Sequence, residues 1–499
     1  MSLLKSGIIV SSLTLLSRFF GVVREMIVAS AFGTTDIADS FNLAIRFPSL
    51  FRRIFGEGAL SSVFIPMFNI KKSESDKAAS NFASNIFSWL TLILILLTLV
   101  FVIFMDQLIY VISPGFYSNP EKINLSIKLC RITVPYLVFI CLVGLIGGVL
   151  NSEKKFIAFA AFPIIISVIL SLAALINPDP VFVSYSVILS GILQLGFMLF
   201  SLKSTKIKLL LVRPAINDDT KLFLRKILPS VISSSITQVN LFISQSISSF
   251  VPSVISILSY AERIYQLPLS IIGTTLGTIL LPELSSIKNN QDSEDIKNKS
   301  IKFCIFFSVP CTFGIFVLSE QIINVIYERG MFTREDTIKT AQTISIFAFG
   351  IPAFILSKVY NAIFFAKMNT KVPMKITIYS VVLNAVLNII FVVLFKHLGI
   401  AFGTVLSGCI STYLYHRSSV KLGYLKIDAS VLVFLIKSFL SGIIMYFTVY
   451  VMREMFFNID SGYVAKIFIL SLLVLTGLLM YIFMMFILGT KKDYQSINK

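Results

Sequence analysis

Long apolar runs separated by short polar connectors dominate this chain. A helix needs about 20 apolar residues to cross a hydrocarbon core. On that measure the pattern predicts fourteen helices, at roughly 7–31, 37–69, 80–112, 123–150, 156–176, 181–202, 221–250, 253–284, 299–327, 336–366, 373–395, 399–417, 430–452 and 463–488. The longest connectors, 203–220 and 285–298, are polar and far shorter than a catalytic domain. The fold class is therefore an all-α polytopic membrane protein, with any function carried by the bundle itself and no enzymatic activity expected.

Composition agrees. Of 499 residues, 56% are hydrophobic and 14% charged, against roughly 25% charged in soluble domains. The formal charge of +18 would suit nucleic acid, but its distribution speaks against that partner. Lysines collect in connectors (Lys71 and Lys72; Lys154 and Lys155; Lys203, Lys206 and Lys208; Lys491 and Lys492), alternating with connectors poor in basic residues at 33–36, 177–180 and 251–253. This positive-inside alternation puts both termini in the cytoplasm. Two connectors, with Arg329 and Arg334 and with Arg453 and Lys466, run against it. The five cysteines fall in apolar segments without metal-ligand spacing and read as small buried hydrophobes. His397 and His416, near helix ends, read as structural, and the first apolar stretch, with two arginines, does not read as a cleavable signal.

An internal repeat is visible at a spacing near 217 residues, relating Pro135 to Pro352 and Lys154 to Lys371; Pro48 and Pro268, and Pro66 and Pro282, pair within about one helical turn of it. It predicts two six-helix halves, 1–217 and 218–428, as a parallel repeat, followed by an extra helix pair and short tail at 429–499. Repeats of this kind build transporters.

Polar residues in the first two helices are the most informative. Asp39, Asn42, Arg46, Ser49, Arg53 and Glu57 recur at steps of three or four, along one helix face, with Arg52 beside them. Arg18, Gly21 and Glu25 share a face of the first helix, with Arg24 at its edge; the eighth adds Glu262 and Arg263. These residues read either as ion pairs between helices or as the lining of an anion-binding cavity. Six arginines against four carboxylates favour the cavity, and guanidinium suits bidentate binding of phosphate. The Gly56-Glu57-Gly58-Ala59 run reads as a hinge; it lacks the lysine and spacing of a Walker motif.

The strings S-R-F-F-G-V-V-R-E (17–25), A-S-A-F-G (29–33), F-R-R-I-F-G-E-G-A-L (51–60) and Y-A-E-R-I-Y-Q-L-P (260–268) resemble the MurJ (MviN) family of lipid II flippases, within the multidrug/oligosaccharidyl-lipid/polysaccharide exporter superfamily. The resemblance covers essentially the whole chain. It implies alternating-access transport of the undecaprenyl-diphosphate-linked peptidoglycan precursor from the cytoplasmic to the periplasmic leaflet of the bacterial inner membrane, for cell-wall synthesis. It further implies Arg18, Arg24 and Arg263 at the diphosphate, with Asp39 and Arg52 at other functional positions; Arg53 joins the substrate set from the stripe. Glu25, Glu57, Glu262 and Gln266 are the gating or ion-pair candidates, although some relatives carry an acid where Gln266 stands. The extra helix pair would form a groove for the lipid tail.

No cofactor is implied beyond a monovalent cation or the membrane potential as driving force. The family's sodium site maps to Ser244, Asn384, Asn388 and Thr404, a weak set without a carboxylate. Expected partners are lipid II, membrane lipids and cell-wall synthases, with the protein a monomer. The alternatives are a flippase for another polyprenyl-linked polysaccharide precursor and a cation-coupled drug exporter of the same superfamily; the arginine excess speaks against the exporter.

Overall fold

A computed structural model describes residues 3–53, 62–286 and 290–489. It begins with helices α1 (Leu3–Phe32), α2 (Asp36–Phe51), α3 (Ile65–Glu74), α4 (Asp76–Ile103), α5 (Met105–Ile112), α6 (Pro120–Thr133), α7 (Tyr136–Ser152), α8 (Phe156–Ile176) and α9 (Pro180–Leu202). An extended connector leads to α10 (Asp218–Ser248) and α11 (Val254–Ser286). The remainder is α12 (Asn290–Tyr327), α13 (Arg334–Ala366), α14 (Lys371–Phe395), α15 (His397–Lys421), α16 (Ala429–Phe456) and α17 (Tyr463–Ile487).

Three predicted helices are each divided. The segment 37–69 leaves α-helical geometry just after Pro48, with π-helical turns at 52–53 and 62–64; the Gly56–Ala59 hinge between them lies outside the described residues. The segment 80–112 breaks at Phe104, whose φ of −96° and ψ of 23° depart from the helix. The segment 123–150 breaks at Pro135, which lacks an N–H to donate and caps α7. Ten helices among the described residues are long and apolar enough to cross a membrane. The other four predicted segments, 7–31, 37–69, 221–250 and 253–284, are those richest in candidate site residues.

Packing divides the chain into two compact units, Met1–Ser256 with Arg329–Phe332, and Ile257–Glu328 with Thr333–Lys499. Whatever the sequence kinship expected across 217/218, by packing α10 joins the first unit through α4 and α5. In that unit α1 packs on α8, α8 on α9, and α2 on α6, around buried Phe41, Phe64, Phe68, Leu137 and Ile146. In the second, α12 packs on α13, α16 and α17, and α14 on α15. Large apolar side chains such as Val393, Leu394, Phe447, Leu479 and Phe483 are exposed, as lipid-facing surfaces require.

Two stretches of the chain end alike. The span Pro120–Ser152 and helix Arg334–Ala366 are both 33 residues long, and they end in the same turn. In each turn a residue with positive φ, Lys154 or Met368, follows the helix. The next N–H closes a six-residue bond, Lys155 to Leu150 O at 2.8 Å and Asn369 to Phe364 O at 3.0 Å. These elements are offset by 214 residues, so the 217 spacing of the prolines shifts by nearly one turn here. Pro135 accordingly divides its helix, whereas Pro352 lies inside α13.

The connector 203–217 is fastened along α4. Ser80, Ser84 and Ser88 Oγ accept the N–H groups of Lys208, Leu210 and Val212 at 3.1, 3.1 and 2.9 Å. Four helical residues rise about 6 Å and two extended residues about 6.6 Å, so the two periods match. Asn85 closes the ladder, with Oδ1 accepting from Ala215 N at 2.8 Å and Nδ2 donating to Ala215 O at 2.9 Å. Lys71 of α3 pairs with Asp219 at 3.1 Å, and that hydrogen bond, with a second from Glu74, raises the pKa of its ammonium above the usual lysine value.

A buried ionic cluster joins α2 and α6 to the turn before α11. Lys122 Nζ donates to Asp36 Oδ1 at 2.7 Å and Asp39 Oδ2 at 2.6 Å, and lies 4.4 Å above the Phe116 ring. Asp39, with 0% exposure, accepts from Ser256 N at 2.8 Å and Ser253 N at 3.1 Å. Its carboxylate thus supplies acceptors for the otherwise unpaired N–H groups of a helix start. Beside it, Gly33 and Gly330, both at positive φ, interlock α1 with the turn at Arg329–Phe332. A Cβ at Gly33 would run into the Met331 carbonyl, and Met331 N donates to Ser30 O at 2.8 Å.

Lys122→Met is expected to cost about 3–5 kcal/mol, because it strands buried Asp39. Thermal unfolding in detergent should show a large drop, partly recovered by adding Asp39→Asn; an unshifted Lys122→Met would refute the cluster's role. Gly33→Ala is expected to cost about 2–4 kcal/mol through backbone strain and overpacking. Gly462→Ala, where a Cβ meets nothing within 4 Å, is the control and should leave the transition in place.

Candidate functional site

The candidate residues sort into three groups once their surroundings are seen. In the polar stripe of α2, Asp39 belongs to the buried cluster just described and is fully occupied there. Asn42 Nδ2 donates to Ala38 O at 2.9 Å and Ser49 Oγ to Ile45 O at 2.9 Å, so both serve their own helix backbone. Arg46 and Arg52 are half-buried and Arg53 is exposed. The π-helical turn at Arg52 and Arg53 accommodates an extra residue and turns less per residue, so Arg53 leaves the straight stripe predicted from α-helical spacing. Glu57 lies outside the described residues.

The second group lies on α1. Arg18 is the sixteenth of the thirty residues of the helix, about 22 Å from its start. It is half-buried and makes no hydrogen bond or ion pair among the described residues. Almost one full turn further on, Gly21 has open space beside it: a Cβ there would meet nothing within 4 Å. Arg24 Nη2 donates to Glu25 Oε1 at 2.6 Å, with side-chain exposures of only 14% and 10%. Its other N–H groups make no bond among the described residues, so one edge of the guanidinium is neutralised and another remains to meet an anion.

Tyr136, Gln194 and Lys122 are functional candidates that sequence reasoning missed. Tyr136 Oη donates to Gln194 Oε1 at 3.0 Å, and Gln194 Nε2 to Phe162 O at 3.1 Å. Both side chains are buried. The available signal was a lone glutamine inside the apolar run of α9; Lys122 was masked by its closeness to a connector.

The third group lies in the second unit. On α11, Tyr260, Ile264 and Tyr265 are buried, with Tyr260 against Tyr327 at 5.2 Å and Tyr265 stacked on Phe347 at 4.7 Å between ring centres. Glu262 and Arg263 are half-buried and Gln266 is exposed, on the side of the helix turned from that aromatic core.

The family's sodium positions divide between the units. Ser244 is on α10 in the first unit. Asn384, Asn388 and Thr404 come together where α14 packs on α15. Asn384 Nδ2 donates to Thr404 Oγ1 at 3.4 Å and Ser407 Oγ at 3.1 Å, while Asn388 Nδ2 donates to Asn384 Oδ1 at 3.0 Å. Gly403 admits the Asn388 carboxamide, since a Cβ would strike its Oδ1. These neutral groups are engaged with one another, and the set holds no carboxylate. Among the described residues no group of three His, Cys, Asp or Glu side chains suits a metal ion.

Comparison with known proteins places this arrangement. The family model described as lipid II flippase MurJ matches residues 28–469. A probable lipid II flippase MurJ of Rickettsia prowazekii (strain Madrid E) is 47% identical over 444 residues, 88% of each chain. One of Rhizobium tropici is 34% identical over 98% of this chain and 95% of its own. Among solved structures, a lipid II flippase MurJ in an inward closed conformation superposes with a TM-score of 0.83 at 26% identity, covering 99% of this chain and 100% of that one. An inward-facing MATE family transporter of the MOP superfamily shares the fold alone, with a TM-score of 0.65 at 14% identity over 83% of this chain and 98% of its own. With its apolar helical bundle, the arginines within its first helices and matches spanning nearly its whole length, the chain belongs to the lipid II flippase MurJ family.

Proposed function

We propose that this protein moves lipid II, the undecaprenyl-diphosphate-linked peptidoglycan precursor, from the cytoplasmic to the outer leaflet of the bacterial inner membrane by alternating access. It is a multi-pass transporter, not an enzyme, and serves cell-wall synthesis and cell shape. One observation carries the substrate reading: Arg18, midway along α1, stands beside open space at Gly21 and lacks a partner among the described residues. A guanidinium at that depth costs about 3 kcal/mol or more. A diphosphate offers several oxygens in the bidentate geometry guanidinium prefers and would offset that cost.

Arg24 and Arg52 add positive potential in the same unit, and Glu25 limits the excess and orients Arg24. Arg263, half-buried on α11, and Arg53, exposed just after α2, are further substrate-binding residues in this reading, and Glu262 and Gln266 act as gating residues. Asp39 acts indirectly, by holding the start of α11. The exposed apolar faces of α16 and α17 suit the polyprenyl tail. Both termini lie in the cytoplasm, the protein works as a monomer, and cell-wall synthases take up its product.

The driving force we favour is the membrane potential, because the neutral Asn384–Asn388–Thr404 cluster makes a poor sodium site. An inside-negative potential drives the anionic headgroup outward and returns an empty, net-positive site, at about 2.3 kcal/mol per charge per 100 mV.

In cells depleted of their own lipid II flippase, the wild-type protein is expected to restore growth. Arg18→Ala should lower transport about 10- to 100-fold, the worth of a charged hydrogen-bonding pair, and Arg18→Lys should retain part of it. Full rescue by Arg18→Ala at matched membrane levels would remove Arg18 from the site. In proteoliposomes, collapsing the potential with valinomycin and balanced potassium should slow transport, while replacing sodium with choline should not; the opposite pair of results would establish sodium coupling.

A further inference from the structure

A second basic site lies in the first unit, well removed in sequence from the arginines of α1. A cavity of about 590 Å³ is lined by Asp106, Tyr117, Asn124, Lys128, Arg131 and Tyr185, with isoleucines at its base. Asn124, Lys128 and Arg131 follow one another along one face of α6. The apolar run that comes next, 132–150, is about 28 Å long at 1.5 Å per residue, close to the thickness of the hydrocarbon core. Lys128 and Arg131 therefore stand at its edge, at headgroup level. Tyr117 and Tyr185 are half in the open there, where aromatic residues mark the membrane interface.

The charges in this cavity are unequally satisfied. Lys122, Lys128 and Arg131 are the basic residues of α6. Lys122 is taken by Asp36 and Asp39. Arg131 is fixed by Asp106, through Nη2 at 3.2 and 3.3 Å, and by the Val102 carbonyl at 3.2 Å. Lys128, one turn from Arg131, is exposed and makes no hydrogen bond or ion pair among the described residues. The lining thus carries one positive charge in excess, with the amide of Asn124 one turn away as a further donor.

What surrounds the cavity is apolar. Ile103 and Phe104 lie within one turn of Asp106, and Leu189 lies one turn beyond Tyr185; all three are exposed. Tyr110, also exposed, packs edge-on against Tyr117 at 4.8 Å. A ligand here meets a cation and amide at the headgroup level and hydrocarbon beside it. Its chemistry is that of an amphiphile with an anionic phosphate.

We propose that this cavity binds the headgroup phosphate of an anionic membrane phospholipid, with Lys128 as its counter-charge and Arg131, held by Asp106, as a fixed second donor. The site lies at the end of α4 opposite the Lys71–Lys72 connector. It is distinct from the proposed lipid II site, so bulk lipid composition would act on the transporter without entering its substrate path.

The test uses the full-length protein, delipidated in mild detergent and titrated with phosphatidylglycerol or phosphatidylcholine, with bound lipid read by native mass spectrometry. Lys128→Gln is expected to weaken the tightest phosphatidylglycerol binding about fivefold, the effect of roughly one surface-level charge. Lys128→Glu should weaken it further, Lys128→Arg should preserve it, and phosphatidylcholine binding should not change. Since Lys128 has no partner among the described residues, all three variants should unfold at the wild-type temperature. Equal phosphatidylglycerol binding by wild type and Lys128→Glu would overturn the proposal. So would wild-type binding of phosphatidylcholine as tight as phosphatidylglycerol. Displacement of the lipid by millimolar glycerol 3-phosphate would make the ligand a soluble phosphate and overturn the lipid assignment.

Discussion

Water is absent from the hydrocarbon core and from a packed protein interior, so a charge buried in either must find its counter-charge and hydrogen-bond partners inside the protein or in a ligand. This constraint organises the first unit. Lys122 sits between two carboxylates, and one of these, Asp39, also accepts from the backbone at Ser253 and Ser256. Arg24 leans on Glu25. In the second unit Lys297 is resolved in the same way, by Glu294 and the Tyr424 carbonyl, each at 2.7 Å. Against this background Arg18 stands out as a guanidinium that the described residues leave to an outside partner.

The same constraint explains how a static framework and a movable ligand coexist. Residues whose partners are internal hold helices together and are costly to change. Residues whose partner must come from outside can exchange it as the molecule works. Asp39, Asn42 and Ser49 of α2 are of the first kind, whereas Arg18 of α1 makes no hydrogen bond or ion pair among the described residues. Polar residues in a membrane helix are therefore not one class, and their spacing alone does not separate the structural from the functional.

Backbone polar groups obey a related rule. Each helix start needs acceptors for its first N–H groups, and short polar side chains supply them: Thr35 for α2, Ser75 for α4, Asn119 for α6, Asp179 for α9, Asn217 for α10 and the Thr333–Asp336 box for α13. The extended connector 203–217, with no helix of its own, borrows its acceptors from the serines of α4. A segment that reads as a plain polar linker is thereby fixed to the first unit, and α10 with it.

The sequence by itself determined the fold class and marked out the apolar segments, because bilayer thickness and helical rise set the length of every spanning run. It also located the arginines of α1 and α2, since charge in an apolar run is conspicuous without coordinates. The division of three helices at Phe104, Pro135 and the turn after Pro48 was less legible, because proline is tolerated inside other helices here, among them α8, α12 and α13. Only the tertiary structure decided which polar residues are spoken for. That Lys122 reaches Asp39 across 83 residues, or that Ser80, Ser84 and Ser88 match an extended strand more than 120 residues away, depends on helices meeting in space. Periodicity reports the face a residue occupies; the partner on that face is chosen by packing.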